Sequence, residues 1–142
     1  NLQENNKPFF TVKTLATDQG YVNADNELVN SAPNKAWTHL VVSMNLTTGF
    51  LTFYVNGVLT KEWTKDTAPN LTRSTLTYTT VLPLMIGACT TYAEVIDKWN
   101  WVTPPIKPQG WDYFIGAMDE LKVYNIDLNA GQVAKLYKDE NK

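Results

Sequence analysis

The sequence predicts an all-β fold, an antiparallel two-sheet sandwich carrying one short C-terminal helix. Three observations predict it. Short β-prone runs recur between Gly, Pro and Asn punctuation, two of them are joined by Asn56-Gly57, and good helical periodicity appears only near the end. The 142 residues make one domain's length of chain. With 44% hydrophobic and only 18% charged residues, the composition is that of a folded core and not of a disordered chain. Thr and Asn are abundant and Glu is sparse, which suits strands and polar loops.

The elements follow in order. Residues 9–14 form a Phe/Thr/Val run, and residues 1–30 as a whole supply two or three strands. Residues 38–44 alternate, with Leu40, Val42 and Met44 on one face. Residues 50–55 alternate again, placing Leu51, Phe53 and Val55 on one face and Thr52 and Tyr54 on the other. Asn56-Gly57 follows, then a run over 58–63. Asn-Gly between two such runs signals a hairpin, because a type I′ turn needs positive φ at both central residues. Residues 84–88 make a short apolar strand. Residues 113–115 and 117–124 make a strand pair, or one long strand bulged at Gly116. The helix comes last. Asn129 is its N-cap, Gln132 completes a capping box, and Val133, Leu136 and Tyr137 form one apolar stripe that packs on the outside or edge of the sandwich.

Composition also excludes function classes. The net charge is −2, and the twelve Lys and Arg include one Arg, Arg73. Arg is the preferred fork for phosphates and guanine edges, so neither nucleic acid nor an anionic membrane surface is the expected partner. One Cys, Cys89, excludes an internal disulfide framework and a multi-Cys zinc site. One His, His39, excludes schemes that need two imidazoles. No apolar run approaches eighteen residues, so no membrane insertion is expected. The chain starts at Asn1 with neither an initiator Met nor a signal peptide, which implies that something ahead of it was removed.

Two stretches carry a family resemblance. One is Trp37-Thr-His-Leu-Val-Val-Ser-Met44 with Gly49-Phe-Leu-Thr-Phe-Tyr-Val-Asn-Gly57. The other is Phe114-Ile-Gly-Ala-Met-Asp119-Glu-Leu-Lys-Val-Tyr124-Asn125, followed by the helix over 128–137. Leu84-Met-Ile-Gly87 fits the strand between them. Over roughly residues 37–137 the chain resembles the laminin G-like, pentraxin-like branch of the concanavalin A-like lectin/glucanase superfamily. That resemblance implies a jelly roll. Such domains begin with further strands that do not stand out here, so residues 1–142 are expected to be a single domain that is the C-terminal portion of a larger domain or protein.

Asp119 shares a strand face with Leu121 and Val123. If that face is the core, an inward carboxylate needs amide donors, a cation, or a place at the rim. The resemblance implies that an Asp here joins backbone carbonyls around a structural Ca²⁺, and the plainer alternative is a carboxylate held by loop amides. Between Tyr92 and Tyr113 the β pattern lapses, and Trp99, Trp101 and Trp111 stand among three prolines. Trp faces stack on sugar rings, and Asp97, Asn100, Gln109 and Asp112 are available to bond hydroxyls. Trp99 and Trp101 are the exposed pair of this reading, and Trp111 packs beside the following strand. The alternative is a satellite cluster pinning a long insertion to the sheet. Trp37 and His39 are structural in the resembled hairpin, and Cys89 reads as an inert buried thiol.

Three functions compete on these residues. The first is a non-catalytic carbohydrate-binding or adhesion module of a secreted or surface-anchored bacterial protein, with a glycan or polysaccharide and the parent protein's other domains as partners. The second is a structural or protein-interaction spacer with no glycan site. The third is a fragment of a glycoside hydrolase. Hydrolases of this fold present Glu and Asp two residues apart on one strand, whereas Asp119 and Glu120 are adjacent and alternate faces. Asp25 and Glu27 lie in an Asn-rich loop. Catalysis is therefore not expected.

Overall fold

The structure, a computed structural model, describes residues 7–13, 21–26, 32–33, 35–45, 47–67, 114 and 116–140. Five strands and one helix occur there: β1 (Phe9–Lys13), β2 (Tyr21–Asp25), β3 (Leu40–Asn45), β4 (Phe50–Val55), β5 (Val58–Thr64) and α1 (Ala130–Glu140). β1 and β2 form an antiparallel pair, and β3, β4 and β5 form an antiparallel sheet in that order. The chain divides into two units, Asn1–Thr79 with Tyr124–Lys142, and Thr80–Val123. All six elements belong to the first unit. The expected strand at 84–88 lies outside the described residues.

The turn chemistry fixes the register of the second hairpin. Val55 pairs with Val58, leaving Asn56 and Gly57 as a two-residue loop with φ of 51° and 78°. Both are in the left-handed region, as a type I′ turn requires. The four-residue loop from β3 to β4 is held by Asn45, whose Oδ1 accepts the amides of Thr47 (2.9 Å) and Thr48 (3.0 Å).

Alternation then sorts the faces. Leu40, Val42 and Met44 pair with Val55, Phe53 and Leu51, so these six share one face, as the sequence predicts. Leu40 and Val42 nevertheless remain partly exposed. The opposite face carries Val41, Ser43 and Asn45 against Tyr54, Thr52 and Phe50. β4 is central and buried on both faces at Leu51, Thr52, Phe53 and Tyr54. On the second face the cover is α1 and its lead-in: Tyr54, Leu128 and Val133 form a core cluster, joined by Val41 and Leu136. The capping box forms as expected, with the Gln132 amide donating to Asn129 Oδ1 (3.0 Å) and the Asn129 amide donating to Gln132 Oε1 (2.9 Å).

β5 differs from a plain alternating strand. Phe53 pairs with Lys61 and Tyr54 with Leu59, so Thr60 is an extra residue. The Thr60 hydroxyl donates to the Phe53 carbonyl (3.2 Å) and accepts from Nδ2 of the buried Asn26 (2.7 Å). The Asn26 amide in turn donates to the Pro8 carbonyl (2.9 Å). A bulge that frees one ladder group is thus satisfied by a side chain that also ties the end of β2 to the sheet.

The expected strand at 117–124 does not form. Residues 117–124 are irregular, Glu120 has φ of 52°, and Leu121 and Val123 are exposed, Val123 to 87%. A left-handed residue interrupts the alternation.

Candidate functional site

Trp99, Asn100, Trp101, Asp97 and Trp111, the sugar-stacking set expected from sequence, lie outside the described residues, as do Cys89 and the neighbouring Tyr113. Asp119 is described and is exposed, not turned into a core. Residues 117–124 are irregular among the described residues, so strand alternation does not assign Asp119 a face. One carboxylate oxygen accepts the Glu120 amide (2.9 Å), which is the loop-amide arrangement. Lys122 Nζ lies 2.8 Å from Glu120 Oε2 and, by that hydrogen bond and its charge, holds the Glu120 carboxyl below the usual carboxylate range. Among the described residues no group of three or more His, Cys, Asp or Glu comes together. Around Asp119 the neighbouring carboxylate is already paired with an ammonium, so the described residues alone do not make a calcium cage.

The Trp37-His39 segment divides. Trp37, expected to be a structural residue at a strand start, is 72% exposed and lies three residues before β3. His39 is held as a structural residue. Its amide donates to Asn56 Oδ1 (3.0 Å), its ring lies 5.7 Å from that of Tyr137, and Nε2 is 3.5 Å from Glu140 Oε2. His39 Nδ1 is buried without a partner. Trp63 is half-buried, with Lys61 Nζ 5.5 Å from its ring.

A feature that sequence reading missed lies on the second face of the sheet. The cross-strand rungs Phe50–Asn45 and Thr52–Ser43, with Tyr54 beyond them, form the floor of an open cleft, and Asp127 and Leu128 form its wall. Two long-range bonds fix the wall: the Leu128 amide donates to Ser43 Oγ (2.8 Å), and Asn45 Nδ2 donates to Asp127 Oδ2 (3.1 Å). The cleft encloses about 450 Å³, part of it open to solvent. Phe50 is 42% exposed. Tyr54 is only 4% exposed, packs on Leu128 and Val133, and its hydroxyl makes no hydrogen bond among the described residues. The bond between Asn45 and Asp127 joins residues 82 apart, and no local pattern announces it.

The described residues form antiparallel sheets of two and three strands, with a central strand buried on both sides and a C-terminal helix over one sheet. The chain belongs to the Concanavalin A-like lectin/glucanases superfamily: a laminin G-type family model of that superfamily matches residues 1–134. Its fold class is accordingly the jelly-roll sandwich of that superfamily, with one helix at the C-terminal end. No curated protein matches the chain. A similar solved structure is the S-layer domain-containing protein (residues 221–444) from Clostridium thermocellum ATCC 27405, with 16% identity and a TM-score of 0.47. The match covers 96% of this chain and 59% of that one, so the chain spans well under two-thirds of its length. No helix among the described residues is long and apolar enough to cross a membrane.

Proposed function

We propose that the chain is a non-catalytic carbohydrate-binding or adhesion module of a secreted or surface-anchored bacterial protein. The observation that carries this reading is the superfamily match over residues 1–134, which joins a lectin-type scaffold to a chain with a Trp-rich insertion. In this reading sugar rings stack on Trp99 and Trp101, Asn100 and Asp97 bond the hydroxyls, and Trp111 supports the loop from a packed position. Asp119 and Glu120 are not read as a hydrolase acid pair. A general acid for glycoside hydrolysis needs a carboxyl raised above its ordinary range, and Lys122 moves Glu120 the other way.

Stacking plus hydroxyl bonds in a wet groove gives weak, reversible binding, roughly −4 to −8 kcal/mol, or millimolar to micromolar. Several copies of such a module on one surface raise the avidity. Affinity electrophoresis through soluble polysaccharides tests the reading with wild type, Trp99→Ala and Trp101→Ala, folding being checked by near-UV circular dichroism. Each substitution is expected to weaken retention by about tenfold, or about 1.4 kcal/mol. Retention that is the same in all three proteins removes the Trp loop as the binding surface, and no retention of wild type on any polysaccharide removes the carbohydrate reading.

A further inference from the structure

We propose that Asn56 is a deamidation site that the native hairpin holds closed, so that modification there marks chains whose turn has opened. Asn56 is the only Asn in the chain followed by Gly. Gly57 has no Cβ, so in an open chain its backbone nitrogen approaches the Asn56 side chain with little hindrance. Asn is among the thermolabile residues because of this chemistry. The Gly57 nitrogen gives up its proton to solvent base and attacks Cγ of Asn56, forming the new N–Cγ bond of a five-membered succinimide. The bond from Cγ to Nδ2 breaks, and Nδ2 takes a proton from water and leaves as ammonia. Water then opens the ring. Cleavage at Cγ gives aspartate, and cleavage at the backbone carbonyl gives isoaspartate, whose main chain runs through the former side chain and is one carbon longer.

The folded turn opposes the first step. The Asn56 amide donates to the His39 carbonyl (2.8 Å), and Asn56 Oδ1 accepts the His39 amide (3.0 Å). Turning the carboxamide toward the Gly57 nitrogen breaks the second of these bonds. The main chain is fixed as well, because Val55 pairs with Val58 and the two residues between them hold φ of 51° and 78°. α1 then closes over the turn. A Cβ at Gly57 would lie 2.9 Å from Tyr137 Cδ1, and Asn56 and Gly57 are both half-buried. The Tyr137 ring is 5.7 Å from that of His39, and Glu140 Oε2 is 3.5 Å from His39 Nε2. The helix therefore backs the residue that holds Asn56, and freeing the side chain means loosening α1 from the hairpin too. The modification is also lasting. A two-residue type I′ loop has no room for an extra main-chain carbon, so a chain carrying isoaspartate loses the register that the turn sets.

Peptide mapping that separates Asn, Asp and isoaspartate at position 56 tests this, on protein incubated at mildly alkaline pH with and without denaturing guanidinium chloride. Folded wild type is expected to deamidate there at least about tenfold more slowly than the denatured chain, equivalent to an opening cost of about 1.4 kcal/mol or more. Tyr137→Ala removes the ring over Gly57 and beside His39. Assayed without denaturant, and with folding checked by far-UV circular dichroism, it is expected to deamidate about threefold faster than wild type or more. Should it not fold, Glu140→Ala, which takes the carboxylate away from His39, is assayed in its place. Chains isolated with isoaspartate at position 56 are expected not to regain the native near-UV spectrum once the denaturant is removed. A folded-state rate less than about tenfold below the denatured rate, equal rates in wild type and the helix variant, or a native spectrum from the isoaspartate chains overturns the proposal.

Discussion

Gly57 meets two demands at one backbone position. Its φ of 78° lies where an L side chain is strained, and a methyl group there would sit 2.9 Å from Tyr137 Cδ1 and 3.0 Å from Tyr137 Cβ. The first demand is local and is announced by the Asn-Gly pair. The second comes from α1 resting on the turn and is invisible in the sequence, because Tyr137 lies 80 residues downstream. Gly57→Ala is therefore expected to destabilise the protein by about 1–3 kcal/mol, left-handed strain accounting for about 1–2 of that. The midpoint of urea unfolding checks it, and a loss no larger than that of Ala at an unhindered surface glycine would show that Tyr137 yields freely. Asn56 has a comparable double role. It tolerates φ of 51°, exchanges backbone and side-chain bonds with His39, and so locks the start of β3 to the turn. Glu120 shows the opposite case. Its alternating neighbours read as a strand, but alternation describes what a strand would bury, not whether a neighbouring strand is there to receive it.

At the scale of the element, β4 and α1 were the most legible, and for physical reasons. β4 spans 50–55 as the alternation gives it, because a two-residue turn leaves no freedom in register. α1 begins after Asn129 because its cap is a local hydrogen-bonding event between residues three apart. β5 was read in extent but not in shape. Val58, Leu59 and Trp63 cannot all be assigned by simple alternation, and the Thr60 bulge resolves them by returning Trp63 to the face of Leu51. The bulge depends on Asn26, which no pattern within 58–64 can announce. Thr60→Val keeps the volume and removes both hydroxyl bonds, so a cost of about 1–3 kcal/mol is expected. In a double-mutant cycle with Asn26→Ala the two costs are expected to add to less than their sum, since both remove the same bond. Strict additivity in thermal unfolding would mean that the Asn26 bond carries no stability. The cleft escaped sequence reading for the same reason as the bulge: its floor is contiguous in the chain, but its wall arrives from residues 127 and 128.

At the scale of the molecule, the described core is concentrated on one strand. Among the described residues Leu51 and Phe53 on one face are fully enclosed and Tyr54 on the other is buried, while large apolar groups at the periphery, such as Val58 at 64% exposure, remain in contact with water. A strand buried on both faces couples the two layers, since a cavity on either side is felt by the same backbone and its two hydrogen-bonded neighbours. Two truncations separate this arrangement from a core spread evenly over the sheet. Leu51 is fully enclosed, and Leu51→Ala is expected to cost about 2–5 kcal/mol through lost transfer energy and the cavity left behind. Domains of this size have roughly 5–15 kcal/mol in total, so the variant should show a large fall in its urea midpoint. Val58→Ala, one strand away, is expected to change stability by less than about 0.5 kcal/mol, because its side chain gives up little water on folding. Both variants keep the Asn56-Gly57 turn and the α1 cap, so the comparison isolates burial from turn and cap chemistry. Equal losses in the two proteins would mean that stability does not reside in β4, and the sheet would have to be redrawn with its centre elsewhere.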